Sequence, residues 1–251
     1  MRPRKRFGQH FLHDPGVLKR IVEAIRPAAG DFIVEIGPGE GALTRPLLER
    51  VDRLTVVEID RDLAAGLPGR LPPGTPERVQ VLCADALELD FGAFPAGARI
   101  VGNLPYNIST PLLFHLARCA ERLRDLHFML QLEVVERMVA QPSTPEYGRL
   151  SVMLQTRFRM DKLFRVAPGA FRPPPKVDSA VVRLEPLPQP PACDPVRLEQ
   201  LVRQAFSARR KTLRNALPLS SGNYDALGIE PTLRPENLSP FDYIRIAAHL
   251  R

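Results

Sequence analysis

The sequence contains few cysteines, and they are not spaced for metal binding or redox chemistry. Cys83, Cys119 and Cys193 are odd in number and lie far apart, which excludes the close pairs typical of zinc sites and redox motifs. We therefore expect reduced thiols in a cytoplasmic protein. The five histidines show no metal-ligand spacing either, so no metal site is predicted.

Long apolar runs are also missing. No stretch reaches the roughly 20 apolar residues that cross a bilayer. The N-terminal sequence MRPRKRFGQHF has basic residues but lacks the apolar segment that follows them in a signal peptide. These absences predict a protein without a membrane span or a secretory leader.

Positive charge, in contrast, is in excess. The 251 residues include 35 Lys and Arg against 28 Asp and Glu, a net charge of +7. This balance favours a polyanionic partner, most simply nucleic acid, although a generally basic proteome would give the same surplus. The 44% hydrophobic content can form a substantial core, and the length suits one large domain or one with a small appendix.

Strand-like and helix-like segments alternate along the first half of the chain. A helix is predicted to begin at Asp14-Pro15, a capping carboxylate followed by proline at the first helical position. Further helices are predicted at residues 42–50, 61–67, 111–120 and 133–140. Strands are predicted at residues 32–36, 54–59, 79–83, 99–101 and 126–131. This alternation predicts an α/β fold with a mostly parallel sheet.

The pattern changes in the second half. Residues 158–166 and 177–184 are predicted to pair as antiparallel strands at the sheet edge. The segment EPLPQPPACDP holds five prolines and is typical of a linker. The chain beyond it has helical spacing and no clear strand. The predicted domains are residues 1–186, including a mobile basic arm at 1–13, then a linker at 187–195 and a small helical domain at 196–251.

A glycine-rich turn follows the first predicted strand of the sheet. The sequence VEIGPGEG, residues 34–41, contains Gly37 and Gly39, and glycine permits a sharp turn and close approach of a ligand. Glu58 ends the next strand, where an acid can accept hydrogen bonds from both hydroxyls of a ribose. Asp85 ends the third strand and could accept from an adenine amino group. The combination predicts an adenosine ligand, with S-adenosylmethionine preferred and NAD the alternative; a structural turn with two capping acids would also fit.

The stretch VGNLPYNIST, residues 101–110, follows the fourth predicted strand at the edge where α/β sheets bind ligands. Pro105 has no N–H and disfavours a helical conformation at Leu104, so the Leu104 carbonyl can face a pocket. The Asn103 side-chain oxygen can act as a second acceptor, and Tyr106 can stack on a base. The alternative is a capped turn with a core tyrosine.

Two acceptors suit an amino group with two hydrogens, such as N6 of adenine. Its lone pair is delocalised into the ring, so holding the hydrogens in place helps to turn the lone pair towards a methyl donor. Methylation itself makes the nitrogen acidic enough to lose a proton, so no prior general base is required. The stretch therefore predicts adenine N6 methylation from S-adenosylmethionine.

Seven segments of the chain closely resemble the bacterial 16S rRNA adenine dimethyltransferase family, and they come in the family's order. They are KRFGQHFL, VEIGPGEGALT, VVEIDRDLA, GNLPYNISTPLLFHL, YGRLSVMLQ, FRPPPKVDSAVVRL and FSARRKTLRNAL. The resemblance implies a class I methyltransferase fold with a small C-terminal helical domain. It also implies dimethylation of N6 on two adjacent adenines in the hairpin loop near the 3′ end of 16S rRNA. The implied substrate is an assembling small ribosomal subunit, late in assembly, and the enzyme is expected to act as a monomer.

The resemblance also implies roles for individual residues. The implied cofactor contacts are His10, Leu12, Gly37, Gly39, Glu58, Asp85 and Asn103. Many members have Asn where His10 stands, although the backbone at that position could still serve. Phe171 matches the aromatic residue expected on the face of the flipped adenine opposite Tyr106, and Asn103 and Leu104 match the acceptors of the amino group.

Two basic clusters are expected to contact RNA phosphates. One is the N-terminal arm with Arg4, Lys5 and Arg6, and the other is in the C-terminal domain. The C-terminal cluster consists of Arg209, Arg210, Lys211 and Arg214. The alternative for such charge runs is a solvated surface.

Three rival functions share parts of this pattern. A sister enzyme that methylates a large-subunit adenine is disfavoured by the segments FRPPPKVDSAVV and FSARRKTLRN. A DNA adenine methyltransferase would usually carry a sequence-reading domain that is absent here. An assembly factor with secondary catalysis is compatible with an active enzyme.

Overall fold

The computed structural model describes residues 10–189 and 193–250 of the chain. The strands of this part are β1 (Phe11–Leu12), β2 (Ile33–Ile36), β3 (Leu54–Glu58), β4 (Val79–Cys83), β5 (Ala98–Asn103), β6 (Leu123–Gln131), β7 (Phe158–Val166), β8 (Phe171–Arg172) and β9 (Ser179–Pro186). The α-helices are α1 (Pro15–Ile25), α2 (Thr44–Leu48), α3 (Arg61–Gly66), α4 (Ser109–Ala117), α5 (Leu132–Val139), α6 (Arg149–Gln155), α7 (Pro195–Ser207), α8 (Leu213–Ala216), α9 (Ser221–Leu227) and α10 (Pro240–His249).

The central sheet has seven strands in the order β4-β3-β2-β5-β6-β9-β7. The neighbours from β4 to β6 pair in parallel, and β9 runs antiparallel to β6. Every residue of β2 and β3 is buried, as expected for parallel strands covered on both faces. The mostly parallel α/β sheet with an antiparallel edge is therefore confirmed.

The helix predicted at Asp14-Pro15 is also confirmed. The Asp14 carboxylate accepts a hydrogen bond from the Val17 backbone N–H, and Pro15 is the first helical residue. Ile21, Val22 and Ile25 bury the apolar face of α1 in the core. This helix follows directly from β1, whose Leu12 belongs to the same core cluster, so its cap fixes where the N-terminal segment enters the fold.

A short antiparallel ribbon joins β1 to β8 and was not predicted from the sequence. Phe11 pairs with Arg172 and Leu12 with Phe171. Each strand has only two residues, too few for a period-two pattern to show. The ribbon ties the segment after residue 10 to the chain just before the three prolines at 173–175.

The ends of β2 and β5 approach each other very closely. Ile36 is in register with Gly102, and a Cβ atom placed on Gly102 would lie 2.4 Å from the Ile36 carbonyl oxygen. No side chain fits there. Glycine at position 102 therefore lets the turn after β2 and Asn103 at the end of β5 lie side by side.

The described residues form two compact units. Residues 10–135 and 160–186 form the first, and residues 136–159, 187–189 and 193–250 the second. Sequence analysis placed residues 136–159 with the larger domain, but Tyr147 is fully buried in the second unit, where its hydroxyl donates to the Leu238 carbonyl at 2.8 Å. The linker at 187–195 and an RNA-binding domain at 196–251 stay predictions. None of the described helices is long and apolar enough to cross a membrane.

The contact at Gly102 gives a first prediction. Gly102→Ala should lower the free energy of unfolding by about 3 kcal/mol, because its methyl group would overlap the Ile36 carbonyl and push the strands apart. Gly169→Ala is the matched control, since a Cβ there meets no atom within 4 Å. Chemical denaturation of both variants measures the difference. Equal midpoints for both variants and the unmodified protein would contradict the role assigned to Gly102.

Candidate active site

A cavity of about 310 Å³ opens at the carboxyl edge of the parallel strands, within the first unit. Eight residues named by sequence analysis line it. They are His10, Leu12, Gly37, Gly39, Glu58, Asn103, Leu104 and Tyr106. The carboxyl ends of β2, β3 and β5 thus bring together segments that are far apart in sequence.

The glycine turn after β2 forms one wall of the cavity. Gly37 and Gly39 have φ angles of 69° and 56°, which residues with a side chain rarely adopt. A Cβ on Gly37 would lie 3.7 Å from the Asn103 carbonyl oxygen, and one on Gly39 would lie 3.0 Å from the Phe11 ring. The turn therefore leaves bare backbone facing both β1 and the end of β5.

Glu58 locks this turn to the end of β3. Its Oε2 accepts a hydrogen bond from the Gly39 N–H at 3.2 Å, and its Oε1 accepts from the Asp60 N–H at 3.0 Å. Burial raises the pKa of Glu58, and the two backbone donors oppose part of that shift. Each carboxylate oxygen has a second lone pair, so the group can still accept hydroxyl hydrogens from a ligand.

The side-chain amide of Asn103 has a fixed orientation. Its Nδ2 donates to the backbone carbonyl of His10 at 2.9 Å, which leaves the Oδ1 end to accept hydrogen bonds. The next N–H, from Leu104, donates to the Met129 carbonyl at 3.2 Å. The His10 carbonyl therefore determines that a substrate meets the Oδ1 end of the Asn103 amide.

Tyr106 forms the wall beyond Asn103. Its hydroxyl oxygen lies 2.9 Å from the Ser179 hydroxyl oxygen, within hydrogen-bond distance. The ring of His10 is 5.6 Å from the Tyr106 ring, tilted by 31°. His10 Nδ1 in turn donates to the Pro173 carbonyl at 2.8 Å, so the His10 ring is held beside the tyrosine.

Two predicted site residues do not line the cavity. Asp85 lies beyond the end of β4, and its Oδ1 accepts from the Leu87 N–H at 2.9 Å, the local turn that sequence analysis kept as an alternative. Phe171 is only 2% exposed and lies in the hydrophobic core, paired with Leu12. Their roles towards a ligand stay predictions, and the structure places neither side chain at the cavity.

The four residues of the C-terminal basic cluster differ in their environment. Arg209 forms an ion pair with Glu236 and donates to the Pro145 carbonyl at 2.9 Å, whereas Arg210, Lys211 and Arg214 are exposed. Arg4, Lys5 and Arg6 of the predicted arm lie outside the described residues.

Sequence analysis missed two buried titratable residues in the cavity wall. Burial raises the pKa of Glu35 to about 8, and its carboxyl accepts a hydrogen bond from the Thr44 hydroxyl at 2.7 Å. His127 has no hydrogen-bond partner among the described residues, and its Nδ1 is 3.6 Å from the Asp125 carboxylate. Glu35 lies two residues before Gly37 of the glycine turn. The strand that holds His127 carries an Asp-x-His alternation, a sequence signal for a polar face.

The cavity suits an adenosine ligand with positive charge. Glu58 can accept the ribose hydroxyls, and Ile59, 45% exposed, offers an apolar face to a base. The described wall includes the carboxyl groups of Glu40 and Glu58 and the protonated Glu35, with Arg45 as its arginine. This surplus of acidic groups disfavours a pyrophosphate. The residues therefore fit S-adenosylmethionine better than NAD.

Comparison with known proteins gives a consistent result. The family model of ribosomal RNA adenine dimethylase matches residues 1–251. The ribosomal RNA small subunit methyltransferase A of Aromatoleum aromaticum is 57% identical over 253 aligned residues, covering 99% of this chain and 94% of that protein. The protein of the same name from Bordetella pertussis is 58% identical, covering 97% of this chain and 92% of its own.

Solved structures agree with the fold. A dimethyladenosine transferase from Plasmodium falciparum superimposes with a TM-score of 0.85 at 26% identity, covering 96% of this chain and 97% of that one. The 23S rRNA methyltransferase ErmE superimposes with a TM-score of 0.72 at 27% identity, covering 96% and 99%. The class I methyltransferase fold is confirmed.

Glu35 gives a prediction about pH. The folded protein keeps this carboxyl protonated up to about pH 8, whereas the unfolded chain loses the proton above about pH 4.5. Between these values the folded state binds the extra proton, so the contribution of Glu35 to stability falls as pH rises. The melting temperature of Glu35→Gln, relative to the unmodified protein, should therefore increase from pH 5 to pH 8.

The control is Glu88→Gln, which changes an exposed carboxyl. Thermal melts of both variants across this pH range provide the measurement. A difference between Glu35→Gln and the unmodified protein that stays constant with pH would show that Glu35 ionises normally.

Proposed function

The chain belongs to the ribosomal RNA adenine dimethylase family, and we propose that it dimethylates N6 of two adjacent adenines in the hairpin loop near the 3′ end of 16S rRNA. The observation that carries this proposal is the Asn103 amide, which the His10 carbonyl orients beside the glycine turn and next to Tyr106. An oriented acceptor, an aromatic wall and an adenosine cavity together suit transfer of a methyl group to a base amine.

The methyl donor is S-adenosylmethionine, which supplies a methyl group on a positively charged sulfur. Gly37, Gly39 and Glu58 would hold it, because the turn presents bare backbone and the carboxylate is anchored by the Gly39 and Asp60 N–H groups. We assign Leu12 to the apolar wall of the same site, since it is buried and lines the cavity. Asp85 lies beyond the end of β4. It would contact the adenine only if the base extended to that position.

Asn103 and Leu104 hold the reacting amine. The Asn103 Oδ1 and the Leu104 carbonyl accept its two hydrogens, which favours rotation of the nitrogen lone pair out of conjugation with the ring. After the first transfer the methylated nitrogen carries a positive charge and loses one proton. One hydrogen then remains, and a single acceptor suffices. The second transfer then requires space for the first methyl group rather than a further hydrogen bond.

Tyr106 stacks on the substrate base. Its ring stands in the cavity wall with the hydroxyl tethered to Ser179, so it presents a face to a base flipped out of its stack. Phe171 would close the opposite face only if the β1–β8 ribbon moved, because its side chain is buried in the core here.

The positive charge of the chain and the names of its relatives support further assignments of substrate, location and oligomeric state. We assign the assembling small subunit as substrate, a cytoplasmic location and a monomeric enzyme. The net charge of +7 and the exposed Arg210, Lys211 and Arg214 favour a large polyanionic substrate. A role in delaying subunit assembly is compatible with catalysis, and a catalytically inactive variant in a deletion strain separates the two.

The direct test is mass spectrometry of 16S rRNA from cells that lack this protein. The two adjacent adenines of the hairpin loop should lose all methylation, and the full chain should restore it. Unchanged dimethyladenosine in the deletion strain would disprove the assignment, and a change in 23S rRNA instead would favour the sister activity.

Asn103→Ala gives a prediction for catalysis. Turnover on undermethylated small subunits should fall roughly a hundredfold, the scale of losing one preorganised polar group. Subunit binding should change little, because the basic surface is untouched. Single-turnover methylation and binding, measured in parallel, test both statements. Near-normal turnover would rule out the proposed role of the amide while leaving family membership intact.

The C-terminal cluster gives a prediction for RNA binding. Replacing Arg210 and Lys211 with alanine should flatten the dependence of subunit affinity on salt, because each phosphate contact releases counterions. Arg209→Ala is the comparison, since Arg209 is paired with Glu236 and should affect stability more than the salt slope. Filter binding between 50 and 200 mM salt, roughly the range in which such contacts dominate, gives the slopes. Identical slopes for all proteins would reduce the cluster to a solvated surface.

A further inference from the structure

The contact between Ser179 and Tyr106 joins the candidate site to a strand that contributes none of the predicted site residues. Ser179 is fully buried, and its hydroxyl oxygen is 2.9 Å from that of Tyr106. The two residues are 73 positions apart in the sequence. Either oxygen can be the donor. Because hydrogen bonds between hydroxyls form only over a narrow range of distances, this contact requires β9 and the segment after β5 to be placed accurately.

The direction of β9 explains why Ser179 lies there. Ser179 is the first residue of β9 and pairs with Gln131, the last residue of β6. Because β9 is antiparallel to β6, its beginning lies at the carboxyl edge of the parallel strands. A parallel strand in the same place would have put its last residue at this edge instead.

The rest of Tyr106 is held from other directions. Its backbone carbonyl accepts a hydrogen bond from the Ser109 hydroxyl at 3.0 Å, and its ring has His10 beside it at 5.6 Å. The ring itself is half-buried. A tyrosine fixed at its backbone can still rotate about its side-chain bonds. A hydrogen bond to the hydroxyl, at the far end of the ring, restricts that rotation most effectively.

We propose that Ser179 is a positioning residue for base methylation, which holds the Tyr106 ring at the angle needed to stack on the substrate base. This inference rests on the proposed function. Ser179 acts through Tyr106 and not on the reacting atoms. Strand β9, which carries none of the residues predicted to contact the amine or the methyl donor, thereby contributes to the chemistry.

A purely structural role is the competing explanation, because a buried hydroxyl needs a hydrogen-bond partner wherever it lies. The two explanations predict different behaviour. A structural hydroxyl affects stability alone, whereas a positioning hydroxyl affects turnover, and it does so through the phenol of Tyr106. Removing either partner of the bond should then have the same effect.

The test is a double-mutant cycle on the full chain with undermethylated small subunits. Ser179→Ala and Tyr106→Phe should each lower kcat about three- to tenfold, the scale of one neutral hydrogen bond, with KM for the subunit unchanged. The double variant should lose no more than either single variant. Ser151→Ala is the control, because Ser151 is equally buried but donates to the Arg137 carbonyl in the second unit. Normal kcat in either single variant, or losses that multiply in the double variant, would overturn the proposal.

A second readout does not depend on methylation. The chain has four tyrosines, and Tyr106 is the one in the first unit. In protein labelled with 3-fluorotyrosine, Ser179→Ala should shift or broaden the Tyr106 fluorine resonance and leave the others in place. An unchanged Tyr106 resonance overturns the tether even if methylation by Ser179→Ala is slow. If the unmodified protein fails to methylate adenine, the proposed function fails, and the fluorine spectrum still decides whether Ser179 orients the ring.

Discussion

The whole site depends on the close approach of two strand ends. Ile36 and Gly102 are in register, and the Ile36 carbonyl occupies the space that a side chain at position 102 would need. The residues that follow are Gly37, just beyond the end of β2, and Asn103, the last residue of β5. A Cβ on Gly37 would lie 3.7 Å from the Asn103 carbonyl oxygen. Glycine at position 102 permits the close approach, and glycine at position 37 adopts the positive φ angle of the turn, so the two strand ends can lie side by side.

Around that contact, hydrogen bonds from neighbouring groups fix the orientation of the other side chains of the site. The His10 carbonyl sets the Asn103 amide, and the Gly39 N–H sets the Glu58 carboxylate. The hydroxyl of Ser179 reaches Tyr106 from an antiparallel strand. Each contact uses a backbone group or a buried hydroxyl that folding has already fixed, so little reorganisation is left for the moment when substrate binds.

The sequence was informative where function is carried by local geometry. The turn after β2, the acid ending β3 and the amide ending β5 could be predicted because a strand end and its next few residues decide their placement. The β1–β8 ribbon, the burial of Phe171 and the Ser179 contact depend on segments more than 70 positions apart, which no local pattern encodes. The raised pKa of Glu35 likewise depends on complete burial, and its place in β2 did not indicate by itself that it would be protonated.

The acidity of the cavity connects stability with ligand preference. Glu35 and Glu58 are buried and have raised pKa values because desolvation disfavours their charged forms. Ionising them costs free energy in the protein alone, and a ligand with positive charge offsets that cost when it binds. A donor with a charged sulfur therefore gains from these carboxyls, whereas the same molecule after it has given up its methyl group has lost that charge and gains less. The buried acids of the cavity thus favour a ligand that carries positive charge over one that does not.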